Sequence, residues 1–163
     1  MPAFVVHVGV ALTVMAAAYS TCAALLLLRR REPPAQPCPE RPAVSVLKPL
    51  CGAEAHLFDC LRSLAQQRYP GLQIVFGVRE ASDPAIAVVE QLRREFPVLD
   101  IELVVDGRLH GENLKASNLI NMLPRARHPI LVISDSDVRV GPGYLDAVVA
   151  ALAPGDVGAV TCL

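Results

Sequence analysis

Beyond residue 43 the apolar residues of this chain follow two alternating rhythms. Short aliphatic runs at Val44 to Leu47, Gln73 to Val78, Ile101 to Val105 and Ile130 to Ile133 have the continuous character of strands buried on both faces. Between them, apolar positions recur three and four residues apart, the period of a helix with one buried side. Leu57 to Gln67 shows this at Leu57, Phe58, Leu61, Leu64 and Ala65, and Ala85 to Phe96 at Ile86, Val89 and Leu92. Leu114 to Met122 and Tyr144 to Leu152 are the remaining helices, Pro49 is expected to stop the first strand, and Val157 to Leu163 is expected to begin a further one. Strand and helix in alternation predict an α/β fold: a mainly parallel sheet with helices on both faces and right-handed crossovers.

The amino terminus has no such rhythm. Phe4 to Leu28 carries no charged residue, and at about 1.5 Å per residue it is long enough to cross a hydrocarbon core of about 30 Å. A cleaved signal peptide would have a basic residue before a shorter apolar core, whereas Arg29, Arg30 and Arg31 follow this long run. One retained transmembrane helix over 4–28 is therefore expected, with the arginines and the body that follows them on the cytoplasmic side. Residues 29–43 contain Pro33, Pro34, Pro37, Pro39 and Pro42, a density that precludes a helix and predicts a stiff juxtamembrane spacer. The third segment, 44–163, is the α/β body.

Composition narrows the partners. The net charge of -1 leaves no basic face for nucleic acid outside the arginine triplet. The five cysteines form no CxxC pair and no Cys/His metal spacing, so reduced thiols are expected, and His56, His110 and His128 read as ordinary loop histidines. Lys48 and Lys115 are the only lysines among abundant arginine and alanine, a weak pointer to a bacterial source and hence to the inner membrane.

Candidate chemistry lies at the strand ends. Ile130 to Ile133 runs into Ser134-Asp135-Ser136-Asp137, and open α/β sheets place their ligands just beyond the carboxyl ends of such strands. Two carboxylates there suit a hard divalent cation whose other positions are filled by substrate phosphates and water. The competing reading is that Asp135 and Asp137 only start a turn. No G-x-G-x-x-G follows the first strand and no G-x-x-x-x-G-K-[ST] occurs, which argues against dinucleotide dehydrogenases and P-loop enzymes. After the second strand, Asp83 and Pro84 suit a helix cap and a first helical position, and an acid at this sheet edge can also receive the N–H of a base or a ribose hydroxyl.

Four blocks carry a family resemblance. Val44-Ser45-Val46-Leu47-Lys48-Pro49-Leu50-Cys51-Gly52, Asp83-Pro84-Ala85-Ile86, Gly111-Glu112-Asn113-Leu114-Lys115-Ala116-Ser117-Asn118-Leu119 and Asp135-Ser136-Asp137-Val138-Arg139-Val140 resemble, in order and spacing, the ceramide glucosyltransferases. Bacterial hopanoid-associated glycosyltransferases belong to the same group. The resemblance implies a GT-A-like nucleotide-sugar-binding domain facing the cytoplasm. It implies transfer of glucose or N-acetylglucosamine from a UDP-sugar to a ceramide or hopanoid hydroxyl with inversion. Carried over by position, Asp83 and Asp135 match the family's first two acids at the nucleotide site, and Lys115 and Asn118 match a Lys-x-x-Asn-Leu block that could contact phosphate or sugar. Asp137 completes an Asp-x-Asp whose second acid some members lack. Mg²⁺ or Mn²⁺ on Asp135 and Asp137 would stabilise the departing diphosphate.

The family's general base and an arginine-tryptophan motif are expected downstream, and this chain contains no tryptophan. No catalytic base is therefore assigned among these residues, and the chain is expected to be a truncated amino-terminal half. Two other readings stay open at this point. One is a non-catalytic, membrane-tethered nucleotide-sugar binder; the other is an unrelated Mg²⁺-dependent α/β phosphotransfer domain.

Overall fold

The computed structural model describes residues 2–29, 41–153 and 157–161. They belong to two compact units, Met1–Gln36 and Pro37–Leu163. In the first, α1 (Pro2–Arg29) is apolar all round. Its stretch Ala3–Leu26 has a mean hydropathy of 1.8, and among the described residues this one helix is long and apolar enough to cross a membrane. The hydroxyls of Thr13, Ser20 and Thr21 donate to the carbonyls of Gly9, Ala16 and Ala17 at 2.8–2.9 Å, and His7 Nδ1 bonds Ala3 O at 2.6 Å. These polar side chains thus turn onto their own helix. Most of the expected proline spacer, residues 30–40, lies outside the described residues.

The second unit runs β1 (Val44–Pro49), α2 (Leu57–Ala65), β2 (Leu72–Val78), α3 (Ala85–Glu95), β3 (Asp100–Val105), α4 (Leu114–Met122), β4 (Ile130–Ile133) and α5 (Tyr144–Leu152). All strand pairs are parallel, in the order β3-β2-β1-β4, with Val46 opposite both Ile74 and Val132. Because the chain builds outward from β1 to β3 and then returns to β1's other side, the order reverses between β1 and β4. Open sheets form their ligand crevice at such a reversal.

Alternation along the strands divides the core. Val44, Val46, Ile74, Phe76, Val78 and Val132 share one cluster with residues of α2, α3 and α5, while Leu47 and Val75 meet Met122 of α4. Ser45 and Gln73 interrupt the apolar strands for a reason visible in their bonds. Ser45 Oγ donates to Gln73 Oε1 at 2.6 Å, and the pair receives the backbone N–H groups of Arg127 and His128, fastening the segment that leads into β4.

Two expectations are corrected. β1 does not stop at Leu47 but runs two residues further, with Pro49 as its last residue opposite Gly77. Alternate residues of a middle strand bond to alternate neighbours, and Leu50 N–H goes to β2 through Gly77 O at 2.8 Å. The missing N–H of Pro49 falls on the β4 side, where pairing has already finished at Leu47 and Ile133. Residues 157–161 form no strand. An aliphatic run signals burial, but a strand also needs an edge to take its N–H and C=O groups, and among the described residues none pairs with 157–161; residues 162–163 of the expected strand lie outside the described residues.

Candidate functional site

At the carboxyl ends of β1 and β4, beside the amino end of α4, lies a cleft of about 390 Å³. Pro49, Leu50 and Cys51 form its floor on the β1 side; Arg79 follows β2; Leu114, Lys115 and Asn118 come from α4; Asp135, Ser136 and Asp137 come from the loop after β4. Glu54 adds a third acid to the wall. Lys115, Asn118, Asp135 and Asp137, expected from sequence to share a site, thus meet in one cleft.

Their individual settings differ. Lys115 Nζ is ion-paired with Asp135 Oδ1, and each side chain is 52% exposed, so both groups are open to an incoming ligand. Asn118 is buried and its Nδ2 donates to Gly77 O at 2.9 Å, tying α4 to the end of β2, while its Oδ1 has no partner. The α4 terminus is shaped by Asn113, whose side chain accepts the N–H of Ala116 at 3.0 Å.

Asp83 does not line the cleft. Its carboxylate accepts the N–H of Ala85, the first residue of α3 after the N-cap Pro84, at 2.9 Å, and the N–H of Gly52 at 3.1 Å from each oxygen. Gly52 has φ +74°, a left-handed conformation glycine takes at no steric cost, and it directly follows Leu50 and Cys51 of the cleft floor. Asp83 therefore holds the β1 loop in place from behind.

Lys48 was not singled out as a site residue in the sequence, yet it is the centre of the β4 loop. It is 1% exposed, and its ammonium donates to Asp135 O at 2.5 Å, Ser134 Oγ at 3.2 Å and Val138 O at 3.2 Å. Burial pushes its pKa below the ordinary 10.5, with Cys60, Asp137 and Asp135 pulling the other way. Cys60 Sγ donates to Asp137 O at 3.2 Å. The sequence signal was a lysine in line with Val44 and Val46, on the face that should be apolar. Arg79 was also missed: its Nε is buried without a partner at the cleft edge.

The donor set fits a hard cation completed by substrate. Asp135 and Asp137 line the same cleft, and among the described residues no three His, Cys, Asp or Glu side chains converge into a closed protein cage. Magnesium-type ions are commonly held this way, by one or two carboxylates with phosphate and water completing the shell.

Comparison with known proteins places this geometry in a family. Ceramide glucosyltransferase 1 of Caenorhabditis elegans is 31% identical over 127 residues, covering 77% of this chain and 27% of that protein. The ceramide glucosyltransferase of Komagataella phaffii is 34% identical over 119 residues, covering 70% and 23%. The chain thus spans about a quarter of the length of these curated relatives. Among solved structures, the mannosyltransferase PcManGT from Pyrobaculum calidifontis, in complex with GDP-Man and Mn²⁺, superposes with a TM-score of 0.69 at 28% identity over 90% of this chain and 42% of that one. Staphylococcus aureus TarS 1-349 shares the fold, with a TM-score of 0.54 at 23% identity over 68% and 32%. The model of glycosyl transferase family 21 matches residues 8–163, and with it the parallel sheet and its acidic cleft identify this chain as a member of that family.

Proposed function

We propose that this chain carries the sugar-donor part of a membrane-anchored glycosyltransferase, which moves a hexosyl group from a UDP-sugar to a lipid hydroxyl with inversion at the anomeric carbon. The observation that carries the reading is the convergence of Asp135, Asp137 and Lys115 on one cleft at the sheet's switch point. Asp135 and Asp137 would hold Mg²⁺ or Mn²⁺, which supplies Lewis-acid stabilisation of the diphosphate as it leaves. Lys115 would give up Asp135 to contact a diphosphate oxygen, and Arg79 offers a second cation at the cleft edge. Asn118 lines the cleft while its amide keeps α4 in register with β2. Asp83 supports the loop that forms the floor, leaving part of its acceptor capacity for a nucleoside hydroxyl or base N–H.

The acceptor follows from the family and from α1. A helix of this length and apolarity would anchor the body at a membrane, with Arg29 and its neighbours keeping the body cytoplasmic and within reach of a lipid hydroxyl. Ceramide and hopanoid acceptors, and glucose or N-acetylglucosamine donors, all fit this chemistry. In the solved neighbour the nucleotide sugar is GDP-Man with Mn²⁺, so the nucleotide is the property to test first.

The experiment is a calorimetric titration of the detergent-solubilised chain with UDP-glucose, UDP-N-acetylglucosamine and GDP-mannose, each with Mn²⁺ and with a chelator. Mn²⁺-dependent binding of a UDP-sugar, lost in Asp135→Asn, is expected. A preference for GDP-mannose would overturn the UDP assignment, and affinity unchanged by the chelator would overturn the metal role. No nucleotide-sugar binding under any condition would overturn the donor-site reading itself.

A further inference from the structure

The loop that presents Asp135 and Asp137 is short, exposed and follows an edge strand, yet its backbone carbonyls are engaged from below. Lys48 takes Asp135 O and Val138 O, Cys60 takes Asp137 O, and Val138 N–H donates back to Asp135 O at 3.3 Å. Lys48 also takes Ser134 Oγ, so the three ammonium protons have acceptors on Ser134, Asp135 and Val138, at the start and end of the turn. None of those acceptors is a carboxylate. A buried ammonium that satisfies itself on backbone and hydroxyl oxygen does not take up the carboxylates of Asp135 and Asp137, both of which line the cleft.

We propose that Lys48 is the positioning residue of the metal-diphosphate corner: its buried ammonium clamps the Ser134 to Val138 turn by three hydrogen bonds and so sets the separation and direction of Asp135 and Asp137. Asp135 and Asp137 as cation ligands belong to the function proposed above, on which this inference rests. The clamp itself is a separate statement about loop geometry. Lysine suits the task because a four-carbon stem can stay buried at a strand position and still carry its ammonium to the loop carbonyls. Methionine has nearly the same volume and no donor, which makes the substitution selective for the clamp.

The test uses the full chain in detergent with two independent readouts. In Lys48→Met, amide hydrogen exchange at Val138 and its neighbours in residues 134–140 is expected to quicken by about tenfold while strands β1 and β2 keep their protection. Mn²⁺ affinity, read from the free-Mn²⁺ electron paramagnetic resonance signal in the presence of UDP, is expected to weaken by about tenfold, with nucleotide binding in chelator unchanged. Wild-type exchange and wild-type Mn²⁺ affinity in a folded Lys48→Met variant would overturn the proposal. A uniform rise in exchange across the sheet would also overturn it, reducing Lys48 to a general stability role. Should Lys48→Met fail to fold, Ser134→Ala and Lys48→Arg carry the test. Both are expected to quicken exchange at Val138 and weaken Mn²⁺ binding by about threefold, and unchanged values in both would overturn the clamp. If wild-type chain binds no Mn²⁺ with UDP while residues 134–140 remain protected through Lys48, the donor-site reading fails and the clamp stands.

Discussion

Lys115, on the first turn of α4, is ion-paired with Asp135, at the end of β4, across the mouth of the cleft. The pair joins two sequence blocks twenty positions apart and sets a cation where a diphosphate would arrive. Half-exposed ion pairs of this kind add little to folding. Lys115→Ala should therefore leave the melting temperature within a degree or two while weakening UDP-sugar affinity by about tenfold, the loss expected for one charge-assisted contact. Calorimetry and a thermal melt on the same sample decide it. Unchanged donor affinity would reduce Lys115 to a solvated helix-end residue.

Asp83 separates structural from ligand roles through two substitutions. Asp83→Ala removes the acceptor for Gly52 and Ala85 and should cost about 1–2 kcal/mol in urea unfolding, the range for a lost helix cap. Asp83→Asn keeps one acceptor oxygen and should recover most of that stability. Donor affinity that stays low in Asp83→Asn would assign the carboxylate charge to the ligand; recovery together with stability would assign the residue to the fold alone.

Gly77 is required by close approach rather than by backbone conformation. A Cβ there would lie under 3.0 Å from Asn118 Oδ1 and from Met122 Sδ and Cγ. Gly77→Ala should push α4 off β2 and destabilise the body by about 1–3 kcal/mol. Adding Met122→Ala should recover part of the loss, and a Gly77→Ala variant as stable as the wild type would show that α4 is held elsewhere.

The pH dependence of Asp106 is set by Arg108. Arg108 donates to the carboxylate from both its guanidinium and its backbone N–H, holding the carboxyl below its ordinary 3.8 in the folded state. A group whose folded pKa is depressed contributes above its unfolded value and loses that contribution as pH falls through the folded one. The stability difference between wild type and Asp106→Asn in urea should thus be constant at neutral pH and shrink below 3.8. A difference that grows in acid would contradict the sign.

Membrane attachment through α1 is testable without activity. Replacing Leu12 and Val14 by arginine places two charges mid-helix, each costing about 2.5–3.5 kcal/mol at a bilayer centre on insertion scales. The variant should move from the carbonate-resistant membrane pellet to the supernatant. Retention in the pellet would show that attachment does not depend on α1 spanning the bilayer.

What the sequence determined was everything local. Apolar patterning proposed nine elements in the body; the eight up to α5 form, the bounds of α4, β4 and α5 match the structure, and no strand forms over residues 157–161. The charge-free run over α1 and the paired acids after β4 were equally plain, since each is a property of neighbouring residues. Tertiary structure decided which residues share a site. Sequence spacing could not tell that β4 returns to pair beside β1, and that single placement brings Lys48 beneath Asp135 and Asp137 and sets Lys115 opposite Asp135. It also divided the expected site residues, since Asp83 spends its oxygens on Gly52 and Ala85 while Asn118 spends its amide on Gly77. The reason is that strand and helix patterns report how a segment meets solvent, whereas a hydrogen-bond partner eighty residues away is fixed only when the sheet order is.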